Sequence, residues 1–293
     1  MNLWPVVAGR IAIESMPMGE RGLSWIGLWA CAAMLLAGGA QAAGKCERLV
    51  ATGNPEYPPY LWRDPQNPEK LIGATVDLLS AVAKDLGVGI DVIYAGPWSR
   101  AQEEVRTGRV DILAGAFLTV PRLETMDFVH PAFLSTPSVV WVRKGHEFPY
   151  ASWADLQGRT GDTLVNNSFG QAFDAYARDN LTLEGVSSLT QAFQKLMLER
   201  TDYVIYERYP AQALASTLGL QDDLQVLDPP VSSEGLHLAL SHNSACNDAW
   251  LRGQLAKKMT EFTAAGMPQT LLQRSLQRWK EQQPEPAASV PNQ

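Results

Sequence analysis

Histidine and cysteine are scarce in this chain, at 4 and 3 of 293 residues. His130, His146, His237 and His242 show no metal-ligand spacing with one another or with cysteine, so no metal centre is expected. There is no Gly-x-Ser-x-Gly elbow, no P-loop and no Gly-rich dinucleotide turn, so nothing compels an enzyme or a cofactor. Charged residues make up only 19%, with a formal net charge of -7. Lysine and arginine are scattered, and the basic footprint that a nucleic-acid partner requires is missing. No glycine period or sustained heptad is present, which removes collagen-like and coiled-coil architectures. What the chain does have is apolar residues, 46% of the total, ample for a buried core and too many for a disordered chain.

One long apolar run exists. No residue between Arg21 and Lys45 is charged, and Leu23 to Ala37 is almost wholly apolar. A helix of that length rises roughly 22 Å, short of the ~30 Å hydrocarbon core of a bilayer. The run then breaks into Gly38-Gly39-Ala40-Gln41-Ala42, small residues that end in an Ala-x-Ala cleavage pattern. Residues 1–42 are read as a secretory signal, with an uncleaved anchor as the alternative and Met16 or Met18 as possible starts. The mature protein is then expected in the periplasm. Cys46 and Cys246 remain after cleavage, and in an oxidising compartment an even count points to a disulfide. Two free thiols are the other reading. A bridge requires the late segment to fold back beside the first strand.

Apolar periodicity supplies the architecture. Arg48 to Thr52 reads as a strand, followed by a Pro-rich aromatic loop through Trp62. Helix over Gly73 to Gly87 carries a stripe of Val76, Leu79, Val82, Ala83 and Leu86. Gly89 to Tyr94 is a strand, Trp98 to Thr107 a helix, and Val110 to Leu118 a buried strand. This β-α-β-α-β rhythm implies a parallel sheet covered by helices. It restarts with strands at Ser138 to Val142 and Asp162 to Val165, helices from Ser168 to Arg178 and Leu189 to Arg200, and a strand at Tyr203 to Tyr206. A short strand at Leu236 and helices at Asn247 to Ala264 and Pro268 to Lys280 close the chain. The resulting expectation is an α/β protein of two lobes: 43–138 with 236–280, and 139–235. The tail 281–293 is expected to be disordered.

One echo bears on function. A helix, a Gly-Arg-Val-Asp111 turn and an apolar strand lead to Arg122; a helix, Asp202 and an apolar strand lead to Glu207. Strands in parallel α/β sheets point their carboxyl ends at the ligand crevice. Two such units face to face present a cation from one and an anion from the other, a pair complementary to a zwitterion.

The chain resembles the periplasmic solute-binding proteins of polar amino-acid ABC importers, bacterial solute-binding family 3. The likeness covers about 48–280. It rests on Tyr57-Pro58-Pro59-Tyr60, Gly73-x-x-x-Asp77, Gly108-Arg109-Val110-Asp111, Gly115-x-x-x-Thr119-x-x-Arg122, Met126-Asp127-Phe128-x-x-Pro131 and Asp202-x-x-x-x-Glu207. The resemblance implies a type II periplasmic binding protein fold, with the ligand cleft between lobes that close about crossing strands near 138–142 and 229–236. It also implies a monomer that delivers its ligand to a membrane permease. Arg122 matches the arginine that takes a ligand carboxylate, as a guanidinium fork suits; pairing with Glu124 or Asp127 is the alternative. Glu207 stands where the family usually places an aspartate for the ligand ammonium, with Arg208 as a possible internal partner. Ser168 matches a position giving hydroxyl and backbone N–H groups to the carboxylate, or else caps a helix. Tyr57 and Trp98 match aromatics that sandwich the side chain, and Thr119 a residue near the carboxylate. Phe117 departs from the usual hydroxyl residue and leaves only its backbone to serve a ligand. Asp77, Asp111 and Asp202 fit structural roles. Side-chain selectivity is expected from the loops at 60–72 and 143–160. Two other readings stay open: an enzyme on this scaffold resembling periplasmic cyclohexadienyl dehydratases, and a ligand-free protein accompanying a periplasmic dehydrogenase or sensor.

Overall fold

The computed structural model describes residues 46–283; residues 1–42, read as a signal, and 284–293 of the expected tail lie outside it. The first half of the chain runs β1 Arg48–Thr52, β2 Glu56–Tyr57, β3 Leu61–Arg63, β4 Leu71–Ile72, α1 Ala74–Leu86, β5 Gly89–Val92, α2 Trp98–Arg106 and β6 Ile112–Phe117. A short helix α3 Val120–Leu123 and β7 Met126–Phe128 lead into β8 Leu134–Arg143. After a 3-10 turn at Trp153–Leu156, the second half runs β9 Thr160–Leu164, α4 Gln171–Asn180, β10 Thr182–Val186, α5 Leu189–Met197 and β11 Tyr203–Glu207. Helix α6 Arg208–Thr217, β12 Leu224–Ser241, α7 Ala249–Ala264 and α8 Met267–Gln282 follow.

Both halves use one plan. β1 lies between β5 and β6 and is parallel to both, and β9 lies likewise between β10 and β11. Between the two triplets stand β8 and β12, antiparallel to each other, so the sheet order is β10-β9-β11-β8-β12-β6-β1-β5 with β7 beside β12. β2, β3 and β4 form a separate small antiparallel sheet. Successive strand residues face opposite sides, and here each side is a core: Val139, Trp141, Val204 and Tyr206 lie in one, Val140, Val142, Tyr203 and Ile205 in the other. A sheet covered on both faces requires such near-continuous apolar strands.

β8 and β12 pair from Leu224 opposite Arg143 to Leu227 opposite Val140, and again from Ser232 opposite Ser138 to Leu236 opposite Leu134. The register breaks over Asp228-Pro229-Pro230-Val231. Two consecutive prolines offer no N–H to a ladder, so this segment interrupts the one strand pair that joins the halves.

Several elements differ from the periodicity. The buried face of α1 is Ala74, Thr75, Leu78, Leu79, Val82 and Ala83, while Val76 and Leu86 are only partly buried. The helix is also tied to α8, Asp77 accepting from Arg278 at 2.5 Å. The helix expected from Ser168 begins at Gln171, with Gly170 as its N-terminal flank at φ 96. Periodicity shows neither β10, a largely exposed strand, nor α6, which follows β11 with no intervening loop and contains Pro210. Glu281 and Gln282, placed in the tail by composition, are the last turn of α8.

Cys46 and Cys246 form a disulfide with Cα atoms 5.2 Å apart. Asp111 closes the same junction: its carboxylate accepts from Val50 N–H (2.8 Å) and Ser244 Oγ (2.6 Å). Asp202 accepts from Thr160 N–H at 2.7 Å. The bridge encloses a loop of 200 residues, and closing so long a loop in the unfolded chain is the main way a disulfide stabilises. Cys46→Ser is expected to lower the unfolding free energy by about 2–5 kcal/mol, read from urea denaturation of the oxidised protein against the variant.

Candidate functional site

Every polar group of the site leaves the carboxyl end of a parallel strand or the loop after it. Asn54 and Tyr57 follow β1, Trp98 follows β5 and opens α2, and Phe117 and Arg122 end and follow β6. From the other half come Asn167 and Ser168 after β9, and Glu207 at the end of β11. These residues, with Ala114, Gly115, Ala116 and Leu236, line one cleft. Gly115 has φ +101, a conformation that side-chain-bearing residues rarely adopt.

Arg122 is fixed by three hydrogen bonds. Its Nη1 donates to Phe117 O at 2.9 Å, and its Nη2 donates to Gln102 Oε1 (3.1 Å) and Asn166 O (3.2 Å). None of these partners is a carboxylate. The guanidinium also lies 5.7 Å from the Trp98 ring centre, within reach of a cation–π attraction. Burial pulls its pKa down to about 10, against the pull of Asp174 and Glu207. Of the alternative partners expected for it, Asp127 binds Asn247 (2.9 Å) and faces His242 and Arg252 instead.

Glu207 is 3% exposed. Burial raises its pKa to about 8, opposed by its own backbone N–H and by Arg122. Arg208 turns away to Asp228 at 2.5 Å and does not neutralise it. Tyr57 and Tyr206 pack edge to face with ring centres 6.2 Å apart. Burial first and the nearby Glu207 second raise both phenol pKa values well above 10.0. Glu207 Oε2, Tyr57 Oη, Trp98 Nε1 and Asn167 Nδ2 are buried and have no hydrogen-bond partner among the described residues. Buried polar atoms are nearly always paired; four such atoms converging on one cleft mark it as built for a polar guest.

Not every expected residue serves the cleft in the expected way. Ser168 lines it, but its hydroxyl donates to Asp174 and accepts from Gly170 N–H (3.2 Å), so only its backbone is left to offer. Phe117 lines the cleft, and its carbonyl is held by Arg122. Thr119 is buried outside the lining; its carbonyl accepts from Arg122 N–H and Leu123 N–H, both 3.1 Å, at the start of α3. The loops at 60–72 and 143–160 contribute nothing to the cleft wall. Gln102, Asn54 and Leu236 are the participants that sequence reasoning missed. Gln102 lies one turn beyond Trp98 on α2, a helical neighbour position that could have nominated it.

A family model for the bacterial extracellular solute-binding proteins, family 3, matches residues 49–279. The chain belongs to that family. A curated relative is the L-cystine-binding protein TcyA of Bacillus subtilis (strain 168), 27% identical over 56% of this chain and 58% of its own. The chain thus matches under two thirds of that relative's length. Among solved structures, the amino acid ABC transporter substrate-binding protein AbpA from Streptococcus pneumoniae bound to L-arginine is similar at TM-score 0.66, with 19% identity over 80% of this chain and 96% of that one. A histidine kinase sensor domain with similarity to periplasmic binding proteins reaches TM-score 0.67, with 21% identity over 79% and 97%. At these identities the structures establish the two-lobed α/β fold of periplasmic binding proteins. Strands β8 and β12 stand between the two parallel triplets of that fold.

The ionisation of Glu207 couples the cleft to stability. Its folded-state pKa lies above the ordinary value of 4.5. Between pH 4.5 and about 8 the folded protein therefore holds a proton that the unfolded chain has released. Stability contributed by this group falls as pH rises through that window, by up to about 1.4 kcal/mol per pH unit. Denaturant titrations at pH 5 and pH 8 are expected to show a smaller loss in Glu207→Gln than in the parent, because the amide cannot ionise.

Proposed function

We propose that this protein captures an amino acid or a related small zwitterion in the Arg122–Glu207 cleft and hands it to the permease of an ABC transporter. The lobes are residues 43–138 with 236–280, and 139–235, hinged at the interrupted β8–β12 ladder. Export past the 1–42 signal places the protein in the periplasm, and the role is binding as a monomer, not catalysis. The observation that carries this reading is that a half-buried cation and a buried acid line one cleft without being each other's hydrogen-bond partner. A zwitterion meets both: its carboxylate takes the free face of Arg122 with the Trp98, Asn167 and Ser168 N–H groups, and its ammonium takes Glu207. The relatives named for cystine binding and bound to arginine support an amino-acid guest.

Several hydrogen bonds already stitch the halves together. Gln102 Nε2 donates to Asn166 O (3.1 Å), Val120 N–H to Gln171 Oε1 (3.1 Å), Asn54 Nδ2 to Tyr206 Oη (2.7 Å) and Leu189 N–H to Glu56 Oε2 (2.9 Å). They describe the closed lobes that sequester a ligand. Arg122→Ala is expected to weaken binding by about 2–5 kcal/mol, because it leaves a buried carboxylate unpaired. Titration calorimetry with the ligand that best raises the parent's melting temperature reads this directly. Equal affinity in the variant would overturn the site assignment.

One observation favours a second reading. A carboxyl held protonated near neutrality can act as a general acid, so Glu207 could protonate the leaving hydroxyl of a cyclohexadienyl substrate seated on Arg122. Incubation with prephenate separates the two. The binding reading expects no phenylpyruvate absorbance above that of a Glu207→Gln control, and turnover that this variant lacks would establish the enzyme.

A further inference from the structure

The cleft contains an even charge count. Arg122 and Glu207 are the charged groups in its lining. The other acids nearby, Asp174, Glu56 and Glu234, lie outside the lining. Once a ligand's carboxylate and ammonium have met Arg122 and Glu207, the lining holds no counter-charge for a third ionic group.

The walls that remain for a side chain agree with that count. Tyr57, Trp98, Phe117 and Leu236, each under 8% exposed, are the large aromatic and aliphatic residues of the lining. An ionised side chain pressed against such walls loses its water and gains no partner, the costly half of a buried charge pair.

We infer that the ligand is an amino acid with an uncharged, largely apolar side chain, and that Phe117 and Leu236 set this preference. The inference rests on the zwitterion reading above and narrows it, away from the cationic guest of the arginine-bound structure and the doubly zwitterionic guest of the cystine-binding relative. Its test uses the unmodified protein. L-Leucine, L-methionine and L-phenylalanine are compared by titration calorimetry with L-arginine, L-lysine, L-glutamate and L-cystine. At least one of the neutral three is expected to bind 100-fold or more tighter than each of the charged four, in keeping with an uncompensated buried charge. If a charged ligand binds within 100-fold of the best neutral one, or better, the inference fails while amino-acid capture stands. If none of the seven binds, the zwitterion reading fails with it.

Discussion

The site depends on keeping a cation and an acid in one cleft without letting them neutralise each other. A guanidinium and a carboxylate that dock directly would be a closed ion pair and would offer nothing to a guest. Here Arg122 is held by Phe117 O, Gln102 Oε1 and Asn166 O, neutral acceptors that orient the fork without cancelling its charge. Glu207 stands at the opposite strand end with Oε2 unpaired. Burial opposes the charged form of each, which is why one pKa moves down and the other up. That unsatisfied electrostatic demand is what a zwitterion relieves, so the desolvation cost of the empty cleft becomes selectivity for a dipolar guest.

The scaffold makes this arrangement possible through its shared central strands. Two β-α-β units, each with its first strand in the middle, point their carboxyl ends at the same crevice, and β8 with β12 joins them into one sheet. The double proline at Pro229-Pro230 interrupts only this ladder. Away from it, the contacts across the crevice include single hydrogen bonds such as Asn54 to Tyr206 and Gln102 to Asn166. Each such bond is worth about 1 kcal/mol net, since water replaces it on opening. A closure held by a few of them is balanced closely enough for a small ligand to shift. The disulfide and Asp111 lie at the far junction of β1 with the chain after β12, where they fasten the returning chain without bridging the crevice.

Much of this was legible in the residues. The two β-α-β rhythms, the return of the chain implied by Cys46 and Cys246, and the strand-end positions of Arg122 and Glu207 follow from periodicity of apolar residues and from motif spacing, because both are local properties. What was not legible depends on tertiary partners. The buried face of α1 turns toward Leu78 on a helix that is also tied to α8 through Asp77 and Arg278. Ser168 loses its hydroxyl to Asp174, six residues on, because the helix starts at Gln171 and not at Ser168. Thr119 reads by motif as a residue that caps or donates near the carboxylate, and it stands at the N-terminal flank of α3, outside the lining. Loops at 60–72 and 143–160 were natural places to seek selectivity, but the β2-β3-β4 sheet and the Trp153 turn draw them into structure away from the cleft.

The departure at position 207 is informative for the same reason. An aspartate at the end of β11 would hold its carboxylate close to the backbone; the longer glutamate carries it further while remaining in reach of its own N–H. Its burial beside Tyr57 and Tyr206 disfavours an anion. Glu207 is therefore protonated near neutral pH, and a bound ammonium must draw the proton off before an ion pair forms. Capture and ionisation become one step, so a guest lacking a positive charge gains nothing from that wall. The carboxyl is thus a conditional charge, present when the ligand supplies its counterpart, and its pairing with the permanent charge of Arg122 gives the cleft its polarity.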